Sequence, residues 1–99
     1  MVVIMGTVRI DPARLAGARL AMEAMVTASR AEPGCRHYAY AEDLLEPGLI
    51  QVSEHWLDRD AVAFHFATPH MAAWHAQMQA LGLYDRNLQI FDAGEPQPL

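Results

Sequence analysis

Residues 35–56 read CRHYAYAEDLLEPGLIQVSEHW. Two runs rich in aromatic and β-branched residues flank Glu46-Pro47-Gly48, a turn triplet in which proline presets φ and glycine permits the tight reversal. The stretch predicts a hairpin, with one strand from Cys35 to Leu44 and an antiparallel partner from Leu49 to Trp56. Alternation puts Tyr38 and Tyr40 on one face of the first strand and Cys35, His37, Ala39 and Ala41 on the other. On the second strand Ile50, Val52, Glu54 and Trp56 share a face, opposite Leu49, Gln51, Ser53 and His55.

Toward the N-terminus, Asp11-Pro12 supplies a helix cap and a first-turn proline. Leu15, Ala18, Met22, Met25 and Ser29 then recur at helical spacing, predicting a helix to about Ala31 that Glu32-Pro33-Gly34 stops. Before it, Val2 to Ile10 reads as a strand that is apolar on both faces at its start, as in a sheet covered on two sides. Toward the C-terminus, Asp58 caps a short helix, Arg59 to Phe66, and Thr68-Pro69 starts another that reaches about Ala80. Its stripe is Met71, Trp74, Met78 and Leu81. Gly82 closes it, and Leu83 to Phe91 forms a last strand. The order is β-α-β-β-α-β with the second helical segment broken, an α+β, ferredoxin-like pattern whose antiparallel sheet carries its helices on one face. Residues 1–93 form one domain in this reading, and residues 94–99 a tail.

Ninety-nine residues allow only a thin core, yet 53% of them are hydrophobic. Surplus apolar surface of this kind points to burial against a second copy, with the free sheet face as the contact. The net charge is −5, lysine is absent and the seven arginines are scattered. Nucleic acid and anionic membrane surfaces are therefore not expected as partners. A single cysteine, Cys35, allows no internal disulfide and suits a cytoplasmic location. The first ten residues lack the pattern of a signal peptide, and no run of apolar residues is long enough to span a bilayer.

The candidate chemistry centres on histidine. His65 and His70 flank the break between the two short helices, and His70 falls in the first turn of the second, where the positive helix end favours a neutral imidazole able to act as a base. No two histidines stand at i and i+4 on one continuous helix, so no metal is expected from their spacing. Glu54, between Val52 and Trp56 on a face that should be buried, needs a partner, and Arg36, Arg86 and Tyr38 are candidates. Trp56 and Trp74 would form a stacking wall for a flat ligand, with Tyr38, Phe66 and the adaptable Met71 beside it, unless these side chains are simply core.

Three markers carry a resemblance to a known family. They are Glu32-Pro33-Gly34-Cys35, then Glu54-His55-Trp56 followed by Asp58 and Ala61, and finally His65-Phe66-Ala67-Thr68-Pro69-His70. In that order, over roughly residues 2–92, the chain resembles the antibiotic biosynthesis monooxygenase domain family, the dimeric α/β-barrel proteins that include quinol monooxygenases. The resemblance implies a homodimer packed sheet to sheet, with a pocket in each subunit between sheet and helices. It also matches His65 and His70 to recurrent pocket histidines. The function it implies is oxidation of a phenol, quinol or polycyclic aromatic by molecular oxygen, with no metal or flavin. Members that degrade haem carry an Asn on the first strand, where Thr7 stands here. A non-oxidative isomerase or metabolite-degrading enzyme, or a non-catalytic ligand-binding dimer, would fit the same scaffold.

Overall fold

A computed structural model describes residues 1–99. The strands are β1 (Val2–Ile10), β2 (Cys35–Glu42), β3 (Leu49–Trp56) and β4 (Leu83–Asp92), and the helices are α1 (Leu15–Arg30), α2 (Arg59–Phe66) and α3 (Pro69–Leu81). The expected order is therefore present, with the ends adjusted by local hydrogen bonding. Asp11 caps a 3₁₀ turn, Pro12–Arg14, before α1 begins, its carboxylate accepting from the Ala13 N–H at 2.9 Å. β2 stops at Glu42, two residues short of the expected end, because Asp43 Oδ1 accepts from the Leu45 and Glu46 N–H groups and folds the chain into a loop.

The sheet order is β2-β3-β1-β4, and every neighbouring pair is antiparallel. Tyr38 stands opposite Glu54 and Tyr40 opposite Val52, while Ile4 pairs with Glu54 from the other side. Val2, Ile4, Val8, Ile10, Tyr38, Ile50, Val52 and Trp56 form the helix-covered face of the core, against Ala18, Met22 and Met25 of α1 and Met71 and Trp74 of α3. The opposite face carries Val3, Met5, His37, Ser53, His55 and Phe91, of which Met5 is 51% exposed and Phe91 45%. No element of this chain covers that face. The core is thin, with 22 of 99 residues buried, so each large side chain within it matters. Trp56 is wholly buried, and truncating it to alanine would cost about 3–5 kcal/mol.

Beyond β4 the chain runs extended. Met1 and Ala93 exchange backbone hydrogen bonds, each 2.9 Å, and Arg36 holds Glu95 of the tail at 3.1 Å.

The turn between α1 and β2 sets up everything that follows. The Gly34 carbonyl accepts from the Leu57 N–H at 2.9 Å, drawing the turn against the start of α2. A Cβ on Gly34 would collide with the Ala61 side chain of that helix. Gly34→Ala should therefore destabilise the protein by about 1–3 kcal/mol in urea denaturation. Adding Ala61→Gly should relieve the collision, leaving about 1 kcal/mol for a glycine within a helix. A double variant no more stable than Gly34→Ala alone would show that the contact is not the cause.

Candidate active site

Thr68 makes the break between α2 and α3. Its hydroxyl donates to the His65 carbonyl at 2.7 Å and accepts from the Met71 N–H at 3.3 Å, ending one helix and capping the next, with Pro69 in the first turn. On a continuous helix, residues five apart project about 140° from each other. The break cancels that divergence. His65, in the last turn of α2, and His70, in the first turn of α3, lie with ring centroids 6.1 Å apart.

Between them comes Glu32, from the turn that Gly34 presses against α2. Its Oε2 lies 2.6 Å from His65 Nδ1 and 2.9 Å from His70 Nε2. A carboxylate oxygen only accepts, so both imidazoles donate to it. That fixes the neutral His65 ring with its proton on Nδ1 and a lone pair on Nε2. His65 Nε2 and Glu32 Oε1 are buried without a hydrogen-bond partner. The His65 ring is wholly buried, 4.5 Å from Trp56, 5.5 Å from Tyr38 and 5.2 Å from Phe66 between centroids. Burial holds its pKa below the usual histidine value, outweighing the opposite pull of Glu32. The His70 side chain is 25% exposed, so the cluster meets solvent at that end.

The remaining predicted residues are placed as follows. Glu54 is buried and accepts from Trp56 Nε1 at 2.9 Å. Its hydrogen-bond partner is thus Trp56, two residues along the same strand face, and not Arg36, which is bound to Glu95, nor Arg86 or Tyr38. Burial pushes the Glu54 carboxyl up to about 7, although the Trp56 bond and the charge of Arg86 both pull it down. Tyr38, Trp56, Met71 and Trp74 are members of the packed core. The two tryptophans do not share a wall: Trp56 lies against His65, whereas Trp74 meets Tyr40 edge-on at 6.2 Å. Phe66 is 41% exposed and stacks on His75. His37 and His55 lie on the opposite sheet face, rings 4.9 Å apart, with His37 Nε2 2.9 Å from Ser53 Oγ.

A groove of about 380 Å³ lies elsewhere, between α1 and the β2 edge of the sheet. Leu15, Met22, Val26, Tyr40 and Ile50 give it an apolar lining, with Arg19 and Arg30 among its polar residues. None of the eight predicted site residues lines it. Tyr40 connects the two regions, because its ring stacks at 5.9 Å on Tyr38, which in turn reaches His65.

Glu32, which bonds both histidines, is absent from the predicted site residues: the sequence reading gave it only as part of a helix stop and of one family marker. A signal was present: an acid at a helix C-terminus opposes the macrodipole and calls for another reason to be there. The trio has no spacing signature in the sequence, since Glu32 is 33 residues from His65.

The sequence profile of the antibiotic biosynthesis monooxygenases matches residues 1–77, and the chain belongs to that family. Among solved structures it is similar to a Deinococcus radiodurans protein provisionally assigned as an antibiotic biosynthesis monooxygenase. The two share 29% identity and a TM-score of 0.90 over 100% of this chain and 98% of that one. It is also similar to Rv0793 from Mycobacterium tuberculosis, at 25% identity and a TM-score of 0.84 over 98% of each chain. An uncharacterised Synechocystis protein is 26% identical across 99% of this chain and 67% of its own length.

The Glu54 carboxyl yields a pH prediction. Its folded value near 7 lies above its ordinary 4.5, so the folded state holds a proton that the unfolded state releases between those values. Stability from this group is full below about 4.5 and is lost as pH rises toward about 7. Glu54→Gln keeps an oxygen for Trp56 and has no charge to bury. Its stability relative to the unsubstituted protein should rise by on the order of 3 kcal/mol between about pH 4.5 and about pH 8. Urea denaturation at both pH values measures it, and a difference that does not change with pH would refute the assignment. The depressed pKa of His65 weakens both proteins alike below its ordinary 6.5 and cancels in the comparison.

Proposed function

We propose that this protein is a cofactor-independent oxygenase acting on a phenol, quinol or polycyclic aromatic, with His65 as its base. The observation that supports this reading is the Glu32–His65 pair: a buried imidazole, oriented through Nδ1 at 2.6 Å, whose Nε2 has no other partner. Such a base would take the proton of a substrate hydroxyl, with Glu32 stabilising the imidazolium that forms. The resulting anion, desolvated against Trp56 and Tyr38, is electron-rich enough to reduce oxygen by one electron, and the radical pair then joins at carbon. The overall balance is one hydroquinone plus one O₂ giving one hydroxyquinone plus one water. One oxygen atom enters the ring and the other leaves as water with two substrate hydrogens. Phe66, against His65 and partly exposed, would move to admit the ring. His70 would pass the proton to solvent across Glu32.

In this reading Tyr38, Glu54, Trp56, Phe66, Met71 and Trp74 shape the substrate space, and a second copy covers the free sheet face. The same relay would serve a proton-transfer enzyme that uses no oxygen. Oxygen uptake separates the two.

The experiment follows oxygen uptake with a panel of hydroquinones and polycyclic phenols, with and without protein, in the presence of a chelator. His65→Ala should lower the enzymatic rate about 10²- to 10⁴-fold, and Glu32→Gln about 10- to 100-fold, with the folded state checked by circular dichroism. Uptake no faster than autoxidation for every substrate would sink the oxygenase reading.

A further inference from the structure

We propose that Glu32, His65 and His70 also form a binding site for a first-row divalent ion of the zinc type, and that the ion switches off the His65 base. Three ligand atoms, one from each residue, lie within 4.8 Å of one another, brought together from the α1–β2 turn, the end of α2 and the start of α3. Two edges of that triangle are the hydrogen bonds of 2.6 and 2.9 Å that meet at Glu32 Oε2. Donors around a tetrahedral zinc at ordinary bond lengths stand about 3.3–3.5 Å apart. The two hydrogen-bonded edges fall short of that spacing by less than about an ångström, so an ion enters by spreading the side chains on that scale. His70, the least buried member, makes most of the movement.

The donor set selects the ion. Two imidazoles and one carboxylate suit zinc and its first-row neighbours, whereas calcium and magnesium require oxygen ligands. The burial selects the type of site. The side chains of His65 and Glu32 are 1% and 5% exposed and wall the inner side, while His70 is 25% exposed and leaves one position facing solvent. Three protein ligands and one open position describe a zinc site able to exchange its fourth ligand. A second observation points the same way. Glu32 Oε1 is buried with no partner beside the cluster, an acceptor that a cation would satisfy.

Occupancy carries a consequence for His65. To ligate through Nδ1, its ring must move the proton from Nδ1 to Nε2. The lone pair that the proposed reaction uses then becomes an N–H, and the base is lost. This switching rests on the function proposed above, whereas the metal site itself does not.

Cobalt(II) is the probe, because a four-coordinate site gives it strong visible absorption. Titrating the chelator-treated full chain should give saturable absorption at one ion per chain, displaced by zinc(II). Glu32→Gln and His70→Ala should each weaken binding by at least about tenfold, while His37→Ala, on the opposite sheet face, should leave it unchanged. Circular dichroism verifies folding, and His70→Asn replaces any variant that does not fold. Absence of saturable absorption, or binding indifferent to Glu32 and His70, overturns the site. If zinc binds to wild type without slowing oxygen uptake that is otherwise present, the switch is overturned. If zinc binds but no substrate is ever oxidised, the site stands and the oxygenase reading falls.

Discussion

One oxygen atom, Oε2 of Glu32, joins the turn after α1 to the two helices α2 and α3, more than thirty residues later. It projects from the turn after α1 and accepts from the ring at the end of α2 and from the ring at the start of α3. Taking a carboxylate and two imidazoles out of water is costly unless each finds a partner, and this oxygen partners both rings at once. The surrounding structure follows from keeping it in place. Gly34 lets the turn approach α2, Thr68 breaks the helix so that the rings converge, and Trp56 forms the wall behind His65. Removing the carboxylate would leave two buried or half-buried imidazoles competing for no acceptor.

The sheet and helices were legible from the sequence because they rest on local signals: alternation in the hairpin, proline-glycine at its turn, Thr68-Pro69 at the break. The helix-side face of the hairpin was equally legible, since Tyr38, Tyr40, Val52, Glu54 and Trp56 follow one alternation. Long-range partnership was not legible. Nothing near Glu54 announced that Trp56, on the same face two residues away, would satisfy it in place of an arginine. The histidines were found by type, but the carboxylate that gives them chemistry lies beyond any spacing rule. The groove under α1 was invisible for a related reason: its lining comes from the side of the helix stripe and from a strand edge, two features that patterns do not bring together.

That groove and the histidine cluster divide the helix-covered side of the sheet between them. The first is open and lined by apolar residues with arginines beside them; the second is buried except at His70, polar at its centre and aromatic around it. Tyr38 and Tyr40, stacked on successive positions of the helix-covered face of β2, form the boundary. Burial raises the pKa of both phenols further above neutrality, so both hydroxyls keep their protons at neutral pH.

The sheet order has a consequence for how the chain reaches this state. β1 is an interior strand, and its neighbours are β3 and β4. During synthesis β1 must therefore wait, with both of its edges unpaired, until partners 40–54 and 73–90 residues later have emerged. Only the β2–β3 hairpin pairs locally. Long-range pairing of this kind slows folding and prolongs the exposure of an apolar strand edge. β4 closes the sheet against β1, so a chain cut short before β4 is left with an open edge available to other strands.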